Sequence, residues 1–226
     1  PLRLVGSEMC IRDRVMPDLL EYCAKHLDSN AAALQPLCSS LKAWDQHANL
    51  DSGIGLVHFI NLVEHLQQIP DAWRVPFDSS QPLTTPRGLA IDHIEVAKAL
   101  REAMLASSEE VSKLKATRWG DIQVSGQTPM HGGPQQLGIY NAMQTVPRAD
   151  GKREVVSGTS YLQIVTFDDK GPQALGVLAF SESSNPASKH AKDQTQAFSE
   201  KKLRALPFTE AQIKADPHYQ QQRIQE

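Results

Sequence analysis

At 226 residues, with 40% hydrophobic and 22% charged side chains, the chain has the make-up of a globular protein of one or two domains, long enough to bury a core. A net charge of −3, a pI near 6.3 and no long basic block argue against nucleic acid or an anionic membrane surface as a partner, and no apolar run approaches the ~20 residues of a membrane span. Three cysteines, Cys10, Cys23 and Cys38, lack paired CxxC spacing, and no GxGxxG or Walker loop is present, so no metal or nucleotide cofactor is expected.

In chain order, the first segment, 1–14, is expected to be extraneous to the protein. Leu2, Leu4, Val5, Met9 and Ile11 are broken up by Arg3, Gly6, Glu8, Arg12, Asp13 and Arg14, which excludes the apolar stretch of a secretory leader. Met9-Cys10-Ile11-Arg12-Asp13 also resembles the read-through of a transposon adapter used in sequencing libraries. The protein proper is then expected to start near Val15, as a piece of something longer.

Pro17 suits a first helical position, and Leu19, Cys23 and Leu27 recur every four residues on one face of a short helix. After Asp28-Ser29-Asn30, Pro36 opens a second helix carrying Leu37, Cys38, Leu41 and Trp44, and the two are expected to form a hairpin. Ile54 to Leu66 is apolar on most sides and predicts a helix buried by neighbours. Pro76 to Arg87 is a turn-rich connection. A fourth helix is expected from Leu89 to Leu105, with Ile94, Ala97, Leu100 and Met104 on its inner stripe and a continuation towards Lys115.

Near Trp119 the period changes. Val124 to Gly138 reads as a loop, Ile139 to Val146 as a strand, and Asp150-Gly151 as a turn. Tyr161, Gln163, Val165 and Phe167 alternate with Leu162, Ile164 and Thr166, and Asp168 to Pro172 forms a turn. Ala174 to Phe180 reads as a fully buried strand, so that the two strands make an antiparallel hairpin. Ser181 to Glu226 is polar, with a short Leu203 to Phe208 patch and a Gln-rich end. The fold class is therefore α+β: a helical half, 15–116, followed by antiparallel strands and a closing segment, 117–226.

No local constellation has the pattern of a catalytic centre. His58 and His65 lie two turns apart, which is not a metal-ligand spacing, and no HExxH occurs. Asp45 and Asp51 suit caps or turns better than a carboxylate pair. Ser157-Gly158-Thr159-Ser160 lacks a nucleophile elbow and reads as a strand-entry turn. Ser188, Lys189 and His190, with Asp193 nearby, form the single local cluster of a nucleophile and a base.

Longer motifs go further. Ala43-Trp44-Asp45-Gln46-His47-Ala48-Asn49-Leu50-Asp51-Ser52 resembles the WD-x-x-A-x-L-D-S stretch of the penicillin acylase and acyl-homoserine lactone acylase family. In the same order, Thr85-Pro86-Arg87-Gly88-Leu89 is similar to its TPRGL, Arg118-Trp119-Gly120-Asp121-Ile122 to its RWGDI, and Gly158 to Val165 to its G-x-S-Y/W-x-Q-V-V strand. Ser183 to His190 with Asp193-Gln194, then Leu206-Pro207-Phe208, resembles the closing S-x-P-x-S-P-H-Y-x-D-Q and L-P-F, departing at Lys189 and Ala191. The resemblance covers Val15 to about Ile213.

It implies an N-terminal nucleophile hydrolase of αββα architecture. In such enzymes a serine freed by self-cleavage attacks an amide, its own α-amine takes the proton, and a backbone N–H with an asparagine amide holds the oxyanion. By resemblance those residues lie upstream, so no residue of this chain is assigned a catalytic role. The chain is expected to be the C-terminal fragment of the large chain of a periplasmic or secreted amidohydrolase. Its partners would be the missing part of the same precursor and a small-molecule acyl amide substrate. The alternative is a non-catalytic interaction module. As a fragment, it is expected to expose strand edges and an apolar face at Leu162, Ile164 and Ala174 to Phe180.

A Cys23–Cys38 disulfide is also expected. The helical hairpin brings the two residues near each other, and an exported enzyme would oxidise them. The alternative is two buried thiols.

Overall fold

Among the described residues the four longest helices all come before Trp119, and each follows from an apolar stripe or run. The computed structural model describes residues 11–26, 32–82, 84–137, 139, 141–169 and 171–224, without the side chains of 11–14 and 136. Leu27, Cys10 and the first ten residues of the segment set aside above lie outside it. Two compact units divide the chain, Pro1–Gly158 and Thr159–Glu226.

In the first unit, α1 (Ile11–His26) begins before Pro17, which stands in its second turn rather than at its start. The turn 11–14 is therefore helical, continuous with the buried Val15, Met16, Leu19, Tyr22 and Cys23. A proline there leaves one intrahelical bond unmade. Next, α2 (Gln35–Ala43) buries Leu37, Cys38 and Leu41, with Trp44 just beyond its end. Cys23 and Cys38 are joined by a disulfide, their Cα atoms 5.8 Å apart.

The apolar run Ile54–Leu66 is α3, buried nearly all round. It crosses α2 at Gly55, where a Cβ would stand 2.2 Å from the Ser40 carbonyl oxygen, so only glycine permits the approach. The ring of Phe59 packs 5.2 Å from Trp44.

Helix α4 (Ile94–Ser112) starts five residues later than its sequence suggests. Residues 87–89 are instead strand β2 (Arg87–Leu89), paired antiparallel with β1 (Trp73–Val75) across the Pro-rich connection. The helix is also rotated from the expected stripe: Val96, Leu100, Ala103, Met104, Ser107 and Val111 face the core, and Ile94 is 80% exposed. Small residues at 103 and 107 let the helices come close, and this outweighs the larger but terminal Ile94.

The expected loop Val124 to Gly138 contains a hairpin, β3 (Gln123–Ser125) with β4 (Thr128–Pro129). The strand expected at Ile139 is shorter and later, β5 (Met143–Pro147), and β6 (Arg153–Gly158) follows the Asp150-Gly151 turn. The sheet order is β4-β3-β6-β5, and β3 runs parallel to β6, so the strands are not all antiparallel.

The second unit holds β7 (Tyr161–Asp168) and β8 (Gly171–Leu178), paired antiparallel over eight residues, with β9 (Arg204–Leu206) on the far side of β8. Strand β8 is not fully buried, for Ala174 is half-buried and Leu175 is exposed. The apolar residues left open on β7 are Tyr161, Val165 and Phe167, on the face opposite the one expected. The polar end carries two helices that its composition concealed. In α5 (Asp193–Ser199) the buried residues are Gln194, Thr195, Phe198 and Ser199, and α6 (Glu210–Ala215) is opened by a Thr209/Gln212 capping box.

Candidate functional site

Two of the motifs that carry the family resemblance do not spread over the surface but bind one another. The loop after α2 is closed on the His47 carbonyl, which accepts from the Trp44 indole at 2.8 Å and from the Ser52 hydroxyl at 2.7 Å. The turn at Trp119 then bonds to this loop through its backbone, Trp119 N–H to the Ser52 carbonyl and Gly120 N–H to the Leu50 carbonyl, both at 2.8 Å. Gly120 is tight against Leu50, where a Cβ would lie 2.9 Å from the carbonyl oxygen.

The segment from Met130 to Gly133 completes the knot. Gly132 N–H donates to the Ala48 carbonyl, and its own carbonyl accepts from the Trp119 indole at 2.8 Å. The fully buried Gln123 donates its amide to the carbonyls of Met130 (2.9 Å) and Gly132 (3.1 Å), and Asn141 donates to that of His131 (3.2 Å). Gly132 has φ +93°, and a Cβ there would collide with the Asn141 carbonyl. Buried carbonyls in an irregular segment need donors, and the indole and side-chain amides supply them. The residues Trp44, Ser52, Trp119 and Gln123 are thus structural.

The residues weighed for chemistry fall apart accordingly. Asp45 accepts from the backbone N–H of His47 at 3.0 Å, which makes it a turn residue, and Asp51 is exposed in the next turn. His58 is buried between α3 and α4 with its Nδ1 3.1 Å from the Ser107 hydroxyl, and burial pulls its pKa down to about 4. His65 is half-buried on the same helix. Among the described residues no group of three or more His, Cys, Asp or Glu could hold a metal ion, and no helix is long and apolar enough to cross a membrane. The hydroxyl-rich residues 157–160 end β6 and lead into β7, and the Ser160 carbonyl accepts from Ala179 N–H.

In the closing segment, His190 and Asp193 do pair: Nδ1 lies 2.8 Å from the carboxylate, and this bond holds the Asp193 pKa below its usual value. Yet the Ser188 hydroxyl oxygen accepts from the backbone N–H of His190 at 3.1 Å, a local loop-closing bond, and the pair is about half exposed. What the loop fixes firmly is its own base. Thr195 N–H donates to the Ser181 hydroxyl at 2.9 Å, and the Gln194 side chain accepts from Leu178 N–H at 3.0 Å. Gln194, in the Asp193-Gln194 pair of the closing motif, thereby ties α5 to the end of β8.

Comparison with known proteins gives the same assignment from the other direction. The family model described as penicillin amidase matches residues 8–215. The chain is 60% identical to the acyl-homoserine lactone acylase PvdQ of Pseudomonas fluorescens Pf0-1, over 99% of this chain and 29% of that protein. It is 59% identical to the protein of that name from Pseudomonas syringae pv. tomato DC3000, over 99% of this chain and 30% of the relative. It is 29% identical to the aculeacin-A acylase of Actinoplanes utahensis, over 98% of this chain and 28% of that one. A solved structure of a thermostable penicillin G acylase from Alcaligenes faecalis aligns with 95% of this chain and 46% of its own at TM-score 0.44 and 13% identity. Both the family match and the two Pseudomonas alignments run into the first fourteen residues. The chain spans about 30% of the length of the curated relatives it matches, and it belongs to the penicillin amidase family.

Proposed function

We propose that this chain is the closing part of the large chain of an N-terminal nucleophile amidohydrolase, one that cleaves the amide of acyl-homoserine lactones or of related linear amides such as a β-lactam side chain. The observation that carries the reading is the 52–60% identity to six Pseudomonas proteins named acyl-homoserine lactone acylase, sustained over 99% of the chain. Hydrolysis of an amide by this route needs a nucleophile, a base and oxyanion donors held together. An internal serine has no free α-amine, and Ser188 is not directed at the His190 imidazole but at its backbone amide. The catalytic serine therefore belongs to the remainder of a self-cleaving precursor. This piece contributes scaffold and is inactive alone.

A periplasmic or secreted location fits the Cys23–Cys38 disulfide, since such bonds persist in oxidising compartments. A lactone substrate would make the enzyme a quencher of quorum signals, and a β-lactam amide would connect it with antibiotics. The test is to assay the 226-residue chain and the complete precursor for release of homoserine lactone from long- and short-chain acyl substrates, and for release of phenylacetate from a phenylacetyl amide. Turnover is expected from the precursor alone. Turnover by the isolated chain that is abolished by Ser188→Ala, or a precursor inert on all three substrates, would overturn the reading.

A further inference from the structure

We propose that the cleft between the β5–β6 turn, α3 and the end of α4 binds a compact organic carboxylate, an anion carried by one ring or by a chain of about six carbons. The inference goes beyond the catalytic reading and does not depend on it. The cleft lies wholly within the first unit and has a volume of about 180 Å³. An apolar cavity of ~150 Å³ holds benzene, so this space admits one ring with a short tail and nothing much larger.

The lining is apolar where the cleft meets the core. Val57 and Ile60 of α3 stand there with Trp119 and Ile122, none of them more than 5% exposed, and Leu114 and Pro147 add further apolar wall. A hydrocarbon body placed against them leaves water without giving up a hydrogen bond. The few polar groups around such a lining fix the charge and orientation of what binds.

Here they select an anion. Arg148, Lys152 and Arg153 line the cleft from the strand side, and Glu110 on α4 is the one acid in its lining. Arg148 is already engaged within the fold: its guanidinium donates to Glu154 at 2.8 Å, to Asp150 at 2.9 Å and to the Gly126 carbonyl at 2.6 Å. Arg153 donates through Nε to the Thr145 hydroxyl at 2.8 Å, but its Nη2 is 3.9 Å from Glu64 Oε1, too far for a hydrogen bond. Lys152 is half-buried, yet among the described residues its ammonium makes no salt bridge and pulls on Asp150 only through space. A carboxylate seated in the cleft thus meets two cations with donors to spare, in surroundings less polar than water, where charge-assisted hydrogen bonds are strong. Glu110, which accepts from the Asn61 amide at 3.1 Å, repels the anionic end and directs it to the strand side.

The experiment titrates the 226-residue chain with phenylpropanoate, the neutral phenylpropanol and the cationic phenylpropylamine, followed by NMR. Phenylpropanoate is expected to shift the Trp119 indole N–H and the Leu114 methyls with a Kd on the order of 1 mM. The indoles of Trp44 and Trp73, which do not line the cleft, are expected to stay in place. The alcohol should bind at least about threefold more weakly and the amine at least about tenfold more weakly. Lys152→Glu is expected to keep the melting temperature of the parent chain and weaken phenylpropanoate binding at least about tenfold, and Lys152→Arg to stay within about twofold. Glu110→Gln should tighten binding about twofold. Trp119 and Leu114 signals that do not move, an amine that binds as tightly as the acid, or a Lys152→Glu chain that binds like its parent would overturn the proposal. Signals that move with the concentration of the chain alone would also overturn it, since a second copy would then be the occupant. Turnover by the complete precursor is read separately: carboxylate binding beside an inert precursor leaves this site standing, and turnover without such binding leaves only the catalytic reading.

Discussion

The two units solve the problem of burial differently. The first has a layered helical core in which Phe59, Leu62, Leu100, Met104 and Trp119 are wholly or almost wholly enclosed, and its motif loops are satisfied by buried indole and amide donors. Beyond Gly158, only Val177, Ala179 and Phe198 of the described apolar side chains are buried. Meanwhile Tyr161, Val165, Phe167, Leu175, Phe208, Ile213, Tyr219 and Ile224 are exposed. A segment this short encloses little surface by itself. The first unit thus contains most of what stabilises it, and the second is held by its hairpin and by hydrogen bonds at the base of α5.

The comparison can be broken most directly by equal truncations in the two units. Phe59→Ala should destabilise the first unit by about 3–5 kcal/mol, because a filled, closed site becomes a cavity. Phe167→Ala should shift stability by no more than about 0.5 kcal/mol, as an exposed ring leaves no cavity. Denaturant unfolding of both variants measures this, and similar losses would refute the contrast.

The disulfide offers the next largest effect. Cys23→Ser with Cys38→Ser opens a loop closed over a separation of 15 residues and should cost about 3 kcal/mol on the chain-entropy model. The loss should be read from signals of the first unit, such as Trp44 fluorescence, and leave the amide exchange of the β7–β8 hairpin unchanged.

Acid should weaken the first unit through His58. Its folded pKa, about 4, lies below the usual 6.5, so the fold prefers the neutral ring. The associated stability is complete above about pH 6.5 and declines as pH falls towards 4, by up to about 3 kcal/mol. His58→Gln should flatten that part of the profile in a titration of melting temperature. An unchanged slope between pH 6.5 and 4 would place the acid sensitivity elsewhere.

The smallest effect belongs to the second unit. Thr209→Ala removes the capping box of α6 and should cost that helix about 1 kcal/mol, seen as faster exchange at Ala211 to Ala215 without a change in the melting of the first unit.

Part of this was legible in the residues. The run Ile54–Leu66 defined α3 to its ends, because a helix enclosed on most sides needs an unbroken apolar stretch. The alternation from Tyr161 to Phe167 and the Asp-rich turn after it defined the β7–β8 hairpin, a local pairing that its own period specifies. The motifs at Trp44, Thr85, Trp119 and His190 gave the family. Thr209-x-x-Gln212 was a readable helix start that the polar composition masked, whereas α5 has no apolar period to read, since three of its four buried residues are polar.

The sequence by itself determined the elements whose partners are near in the chain and the family to which they belong. Only the tertiary structure decided the short strands. Val124 and Ser125 read as loop because the strand they belong to pairs with Arg153 and Glu154, some thirty residues on, and Arg87 and Leu89 read as the end of a connection and the start of a helix because their partners lie across a proline-rich turn. Tertiary structure also decided which backbone carbonyls Trp119, Gln123 and Asn141 serve. Local pattern records which face of an element is apolar. It cannot record which distant carbonyl a buried donor will meet, because that depends on where the rest of the chain comes to lie.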